Sequence, residues 1–281
     1  MRRVSKALVL AALLATGAGP ALPTPPAWTE PTAPFPIIGP ISYVGTRGLA
    51  AYLIATPKGL ILLDATMAEN VPAIEANIKS LGYKLSDVKI LLNSHAHFDH
   101  AGGLAAMKHD TGGKLDAMAG DVWALEHGKH FGDQNYVGTF APVKVDRVLH
   151  DGSAVTLGGV TMRAVLTAGH TSGCTTWLMT VKANGRTLNV VFPGSLTVAG
   201  NKLVGNKTYP NIVADYRASF QKMAGLPADV VLPVHPELAD VLARQGKDWV
   251  APGLLHKMVA DAQVAFDAQL AREQPKPTPN P

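Results

Sequence analysis

Cysteine is almost absent from this sequence of 281 residues, which contains only Cys174. A disulfide within the chain is therefore excluded, and the fold must depend on its hydrophobic core even if the protein is exported. Hydrophobic residues make up 47% of the chain, which is ample for such a core. We expect Cys174 to be a small buried hydrophobic residue, as lone cysteines commonly are, with a metal ligand or a nucleophile as the alternatives.

Several well-known catalytic signatures are also missing. The chain has no Gly-x-Ser-x-Gly, no Walker motif and no Gly-x-Gly-x-x-Gly, so nothing indicates a serine nucleophile on a strained turn or a nucleotide-binding loop. Ser86-Asp-Val-Lys89 matches the Ser-x-x-Lys of serine β-lactamases. Neither Ser-Asp-Asn nor Lys-Thr-Gly follows it, and we interpret the match as coincidence.

Basic clusters are absent outside the N-terminus. The formal net charge is +4, and removal of Arg2, Arg3 and Lys6 with an N-terminal segment leaves 4 − 3 = +1. This balance indicates no phosphate-binding track, and we expect no nucleic-acid partner.

The first 21 residues have the three regions of a secretory signal peptide. The basic residues precede an apolar run from Ala7 to Ala15, and small residues follow up to a plausible cleavage site at Gly19-Pro20-Ala21. The run is shorter than the ~20 residues of a membrane span. We therefore expect cleavage and a secreted or periplasmic protein without membrane contact, with a retained anchor as the alternative.

The remaining residues, 22–281, are predicted to form one domain. Residues 22–40 contain seven prolines and indicate an extended N-terminal arm, residues 128–147 a long loop near the site, and residues 273–281 a disordered tail. Apolar runs predict strands at residues 51–56, 60–64, 88–92, 154–157, 160–166, 174–181, 188–192 and 229–234.

Helices are predicted where apolar residues recur at spacings of three and four. Residues 71–81 fit this pattern, and so do two further apolar faces, Ile212, Tyr216, Phe220 and Met223, and Leu255, Val259, Ala262, Phe266 and Leu270. The last face lacks the dense Lys/Arg border of a membrane-surface helix, so we expect it to dock on the body. Strands and helices follow one another twice, which suits two similar halves packed sheet on sheet with helices outside.

The strongest functional signal is His95-Ala-His97-Phe-Asp99-His100, directly after the predicted buried strand 88–92. Residues two apart in an extended segment point the same way, so His95 and His97 can bind one metal. Asp99 and His100 follow the turn of the chain and can face a second metal. Without metals, this cluster would crowd polar groups that each need a partner.

Two further histidines follow predicted strands, where loops converge on a site. His170 lies in Gly169-His-Thr-Ser-Gly173 and His235 follows the strand 229–234. Six ligands in two sets of three leave open positions for a shared water, the pattern of catalytic rather than structural zinc. The other histidines are interpreted as surface residues, with possible substrate contact for the second and third: His109, His127, His130, His150 and His256.

Together these motifs resemble the metallo-β-lactamase superfamily over residues 28–245, and subclass B3 of the true metallo-β-lactamases within it. The resemblance implies an α/β fold, a four-layer αββα sandwich of two mixed sheets packed face to face with helices outside. It rests on the His95–His100 motif and on Trp28-Thr-Glu-Pro, Tyr43-Val-Gly-Thr, Ala51-Tyr-Leu-Ile, His97-Phe-Asp-His-Ala-Gly-Gly103, Gly169-His-Thr-Ser-Gly-Cys-Thr-Thr-Trp177 and Pro210–Phe220.

The resemblance also implies a site with two Zn²⁺ ions per chain. One zinc is expected on His95, His97 and His170, and the other on Asp99, His100 and His235. Related thioesterases, lactonases and nucleases carry a bridging aspartate where this chain has Ser195, and the best-known lactamase subclass carries a cysteine there. Phe192-Pro-Gly194 departs from the more polar run of relatives, which affects the shape of this loop rather than the metal set.

The function implied is hydrolysis of the amide bond of β-lactam antibiotics by a zinc-bound hydroxide, with Asp99 also orienting the hydroxide. We expect a monomer with a small-molecule β-lactam substrate, whose carboxylate would bind Ser195 and Thr197, with Asn201 as a weaker contact. The alternative for these hydroxyls is that they only satisfy loop backbone. Two other functions stay open: another superfamily hydrolase, a lactonase or thioesterase, or a non-catalytic zinc-binding module.

The signal peptide gives the first testable prediction. The mature protein should lack residues up to about Ala21, because the basic, apolar and small-residue regions occur in the order that signal peptidase recognises. N-terminal sequencing of exported protein checks this, and exported protein that begins at Met1 would contradict it.

Overall fold

The computed structural model describes residues 24–133, 138–183 and 185–274 of the chain. The predicted signal peptide, residues 1–21, therefore lies outside the described residues. Within the described part, no helix combines the length and the apolar character that crossing a membrane requires.

The first sheet has seven strands that lie side by side in chain order. Its first four strands pair antiparallel and its last four pair parallel, so the sheet is mixed. The strands are β1 (Phe35–Ile38), β2 (Ile41–Tyr43), β3 (Tyr52–Thr56), β4 (Gly59–Leu63), β5 (Val88–Leu92), β6 (Lys114–Met118) and β7 (Arg147–Leu149).

The second sheet has five strands in the order β12-β11-β10-β9-β8. Only β11 and β12 are parallel, and the other three pairs are antiparallel. These strands are β8 (Ala154–Leu157), β9 (Val160–Leu166), β10 (Thr175–Ala183), β11 (Arg186–Phe192) and β12 (Val230–Val231).

The helices occupy the connections between strands. They are α1 (Val71–Ser80), α2 (Phe98–Ala101), α3 (Leu104–Thr111), α4 (Val122–His127), α5 (Ile212–Ala224) and α6 (Leu254–Glu273). Short 3₁₀ helices cover Pro26–Trp28, Ala68–Asn70, Leu85–Asp87, Ala119–Asp121, Pro236–Ala239 and Leu242–Arg244.

Three hydrophobic clusters separate four layers. The central cluster joins the two sheets and includes Ile61 and Trp177. A second cluster packs α1 and α3 on the first sheet, and a third packs α5 and α6 on the second sheet through residues such as Phe220 and Phe266. Because each sheet buries one face on the other and its second face under helices, the predicted four-layer αββα sandwich is confirmed.

The Pro-rich segment 22–40 differs from the extended arm that the sequence predicts. Residues 26–28 form a 3₁₀ turn, and Phe35–Ile38 is the edge strand β1, paired with β2. Pro36 has no N–H to donate, but an edge strand has one unpaired side and tolerates it. The alternation of buried Phe35 and Ile37 with exposed Pro36 is the signal that composition concealed.

The C-terminal part of the chain also differs from the prediction. The strand predicted at 229–234 is paired as a strand only at Val230–Val231, and Pro233, which cannot donate a backbone hydrogen bond, follows soon after. Helix α6 includes Glu273, whose carboxylate accepts bonds from the backbone N–H groups of Leu203 and Val204 at 2.7 and 3.0 Å. The disordered tail predicted from 273 therefore cannot begin there, and residues 275–281 lie outside the described residues.

The docking of α6 yields a stability prediction. Phe266 is 1% exposed and packs on Tyr216 and Phe220 at ring-centroid distances of 4.9 and 5.5 Å. Phe266→Ala should lower the free energy of unfolding by about 3–5 kcal/mol, because it removes buried area and leaves a cavity. Urea unfolding measures this loss. Val264 on the same helix is 71% exposed, so Val264→Ala is the control and should change stability by less than about 0.5 kcal/mol; equal losses would show that α6 does not dock by this face.

Candidate metal centre

The six predicted ligand side chains lie together at one end of the sandwich, although they come from three separate connections. Four of them follow β5 in the loop and short helix α2, one follows β9, and one follows β12. In chain order they are His95, His97, Asp99, His100, His170 and His235.

The first group consists of His95, His97 and His170. One ligand atom from each lies within 4.8 Å of those of the other two. The Nε2 atoms of His95 and His170 are 3.1 Å apart, close to the roughly 3.3 Å between two nitrogens on a tetrahedral zinc ion.

The second group consists of Asp99, His100 and His235. His100 Nε2 lies 3.2 Å from Asp99 Oδ2 and 3.2 Å from His235 Nε2, and His235 Nε2 lies 3.6 Å from Asp99 Oδ2. His95 also comes within 4.8 Å of Asp99 and His100, so the two groups are adjacent. This is the arrangement that two neighbouring metal ions require.

Hydrogen bonds fix which nitrogen of His95 and of His170 carries the proton. His170 Nδ1 donates to the Thr197 carbonyl at 2.7 Å, because a carbonyl can only accept. Ser94 Oγ donates to Asp64 at 2.6 Å and so accepts from His95 Nδ1 at 3.0 Å. Both Nε2 atoms then present lone pairs to each other at 3.1 Å, which repel unless a cation binds them both, and this donor set therefore fits a metal ion.

Burial keeps most of these imidazoles neutral, which is the form that ligates metals. It lowers the pKa of His95 and of His97 well below the usual range, with repulsion from neighbouring imidazoles as a further cause. It also lowers the pKa of His170 to about 3 and that of His235 to about 4. At neutral pH a proton therefore competes little with a metal ion for the nitrogens of these four rings.

His100 and Asp99 behave differently, because carboxylates face this imidazole. Burial alone would lower the pKa of His100, but the Asp99 charge and the nearby Asp64, 3.6 Å from Nδ1, raise it to about 10. Burial alone would raise the pKa of the Asp99 carboxyl, but His100, by charge and hydrogen bond, and then His235 hold it below its usual range. The two carboxylates, Asp64 and Asp99, therefore make the surroundings of His100 favourable for a positive charge.

Gly169 allows the His170 loop to take its shape. Its φ is +136°, which side chains rarely adopt, and a Cβ there would lie 2.7 Å from the Tyr216 ring. Tyr216 in turn donates its hydroxyl to the Thr197 carbonyl at 2.7 Å, the same oxygen that orients His170. The glycine of the Gly-His-Thr motif is thus required by close packing behind the ligand.

A cavity of about 240 Å³ opens over the ligands. Five residues on its wall lie outside the predicted site set, namely Trp28, Phe98, His130, Gly138 and Ala199. His130, interpreted from sequence as a surface residue, is half-buried, and its Nδ1 lies 2.8 Å from His97 Nε2, so that interpretation was wrong. The ring of Trp28 lies 5.6 Å from that of His235.

The other four predicted surface histidines are exposed, namely His109, His127, His150 and His256. No periodic pattern marks His130 or Trp28, because their neighbours in the site are distant in sequence. A histidine in a loop predicted to lie near the site was the available signal for His130.

The predicted substrate contacts occupy different positions. Thr197 is exposed and lines the cavity, and its Oγ1 lies 3.1 Å from Ser195 Oγ. Ser195 is buried beneath it. Asn201 is also buried, and its amide donates to the carbonyls of His170 and Val198 at 3.0 and 2.9 Å. Asn201 therefore supports the His170 loop rather than lining the cavity.

Cys174 is fully buried, as predicted. Burial, with the nearby Asp121 charge, raises the pKa of its thiol well above the ordinary value, which leaves no thiolate at neutral pH. Its Sγ donates to the Ser195 carbonyl at 3.4 Å, and neither group of candidate metal ligands among the described residues includes it.

Comparison with known proteins identifies the family. The model of the metallo-beta-lactamase superfamily matches residues 44–235. The chain belongs to this superfamily. Among solved structures, BJP-1, a subclass B3 metallo-β-lactamase of Bradyrhizobium japonicum, is 43% identical with a TM-score of 0.84, over 88% of this chain and 97% of that chain. The FEZ-1 metallo-β-lactamase of Legionella gormanii is 39% identical with a TM-score of 0.82, over 90% and 99%.

Curated relatives include hydrolases of other kinds. A hydroxyacylglutathione hydrolase of Rhodospirillum rubrum is 30% identical over 112 residues, which is 40% of this chain and 35% of that protein. The chain spans between about a third and two thirds of the length of the curated relatives that match first, at 66%, 35% and 38%. Similarity across most of both chains is therefore found with the subclass B3 structures.

Proposed function

We propose that this metal-dependent hydrolase is a β-lactamase that uses two zinc ions to open the amide bond of β-lactam antibiotics. The observation that carries the proposal is the similarity over 97% of a subclass B3 β-lactamase at 43% identity. The segment after β11 supports it. This segment contributes Ser195, and no carboxylate, beside the Thr197 that lines the cavity.

In this proposal His95, His97 and His170 hold one zinc ion, and Asp99, His100 and His235 hold the other. Zinc bound there would lower the pKa of a bound water to about 7 and would polarise a carbonyl oxygen. The neutral imidazoles of the first group would leave the charge of a bound ion undiminished. The second group contains one carboxylate, so the net charge of an ion with its ligands would be less positive there.

Asp99 has a second role because it lines the cavity. Its carboxylate stays ionised at any physiological pH, and it can accept a hydrogen bond from the attacking water and keep it oriented toward the lactam carbonyl. Trp28 and Phe98 form an apolar wall of the same cavity. That wall suits the hydrophobic face of a bicyclic substrate and excludes bulk water.

The cellular location and the oligomeric state of the protein are also proposals. The predicted signal peptide supports export to the periplasm or the medium, where the protein would meet β-lactams as a monomer.

A lactonase or thioesterase activity is the second candidate function, favoured by the similarity to a hydroxyacylglutathione hydrolase. The serine at position 195 weighs against it, because that group of relatives is expected to have a bridging aspartate there.

An assay with metal analysis tests the activity. Purified protein should contain two equivalents of zinc and hydrolyse a chromogenic cephalosporin, and a chelator should abolish turnover until zinc is restored. Asp99→Ala should lower kcat far more than it weakens substrate binding, because its roles are needed chiefly in the transition state. Faster turnover of a thioester or lactone than of every β-lactam would favour the second candidate, and a plateau at one zinc would exclude the two-metal site.

A double variant tests the substrate contact. Ser195→Ala with Thr197→Val should lower kcat/KM about ten-fold or more, because hydrogen bonds from hydroxyls to a charged partner contribute about 1.5–3 kcal/mol each. Thr208→Val, whose hydroxyl bonds Asp133 at the surface, is a control outside the cavity. Wild-type kcat/KM across several β-lactam classes, with zinc content intact, would mean that the carboxylate binds elsewhere.

A further inference from the structure

Asp121 is a buried carboxylate that the proposed reaction does not use. It ends the 3₁₀ helix Ala119–Asp121 after β6 and is 2% exposed. Three donors satisfy it. Oδ2 accepts from the Ala96 N–H at 2.8 Å and from the Thr171 hydroxyl at 2.9 Å, and Oδ1 accepts from the Gly173 N–H at 2.9 Å.

The partners of Asp121 flank the first ligand group. Ala96 lies between His95 and His97, and Thr171 directly follows His170. One oxygen atom, Oδ2, therefore bonds both of the loops that carry this group. Because one oxygen accepts both bonds, at 2.8 and 2.9 Å, it limits how far the loops can separate.

The backbone around Asp121 leaves no room for adjustment. A Cβ on Gly173 would lie 2.4 Å from the Asp121 nitrogen, and a Cβ on Gly120 would lie 2.3 Å from the Ser172 carbonyl oxygen. Ser172 Oγ also donates to the Gly120 carbonyl at 2.6 Å. The segment before α4 is thus packed directly against the His170 loop, with glycine on both sides of the contact.

Stability gives a poor reason for placing a carboxylate here. All three donors are neutral, and among the described residues no salt bridge reaches Asp121. Burial of a carboxylate without a cationic partner is costly, and an apolar residue of similar volume is often at least as stable. What an apolar residue could not do is accept bonds from both ligand loops at once.

We propose that Asp121 is a positioning residue that fixes the spacing between the His95–His97 loop and the His170 loop, and so sets the affinity of the metal position that these three histidines share. The inference rests on the ligand assignment proposed above. It does not depend on the identity of the substrate. Among the described residues, the hydrogen bonds of Asp121 go to Ala96, Thr171 and Gly173 and to none of Asp99, His100 and His235, so the second metal position should be largely insensitive to it.

The test is the affinity for Zn²⁺, measured by competition with a chromophoric chelator. Asp121→Ala should weaken one of the two zinc sites about ten-fold or more, the usual scale for loss of an outer support of a metal site, and leave the other near the wild-type value. Thr171→Val removes only the hydroxyl of one partner and should weaken the same site by a smaller factor. Replacement of zinc by Co²⁺ gives a second readout, because its visible absorption reports the coordination geometry and should change in Asp121→Ala.

Two controls separate positioning from stability. Phe266→Ala should be less stable than the wild type because of a change in the helix layer, away from the ligands, and should keep both zinc affinities. Asp121→Asn can keep the bonds to Ala96 and Thr171 through its one carbonyl oxygen and should restore most of the lost affinity. Unchanged zinc affinity in both Asp121→Ala and Thr171→Val, or equal weakening of both sites, would overturn the proposal. Because zinc binding is measured directly, wild-type protein that binds two zinc ions without hydrolysing β-lactams would refute the proposed function alone.

Discussion

The repulsion between imidazole lone pairs is the interaction on which the site depends. His95 and His170 each donate from Nδ1 to a neighbour, and their Nε2 atoms face each other at 3.1 Å. Buried groups of this kind are tolerated when a cation binds them. The outer donors and acceptors therefore matter as much as the ligands, because the Thr197 carbonyl and the Ser94 hydroxyl decide that the lone pairs point inward.

The sandwich brings these groups together through simple topology. The buried strand β5 and the connections after β9 and β12 come from different sheets, and packing sheet on sheet places their following loops at one end. The three hydrophobic clusters contain none of the six ligands. The layers are therefore stabilised by apolar burial, which leaves the loops free to carry polar groups that an isolated loop could not hold in register.

The sequence predicted those features that a local pattern encodes. The bounds of β5, β8 and β9 were predicted without error, because apolar runs define them. The six ligand positions followed from clustering and from strand ends, and the structure brings them together. The strand β1 was missed because prolines masked its alternation. His130 and Asp121 were missed for another reason, since each acquires its role from a contact with a segment far away in sequence.

Three buried carboxylates show how the cost of burying a charge is reconciled with the geometry of the site. Asp64, Asp99 and Asp121 are each less than 10% exposed, yet their partners differ in kind. Asp64 bonds Ser94 and lies 3.6 Å from His100, and Asp99 contacts His100 directly, so both carboxylates face a residue of the second proposed ligand group. Asp121 has neutral donors only. Metal binding to the native state can offset the burial of the first two, since a ligand that binds only the folded protein stabilises it. The cost of burying the Asp121 carboxylate has no such offset within the described residues. Its role in spacing the two ligand loops is the physical reason we give for a carboxylate at this position.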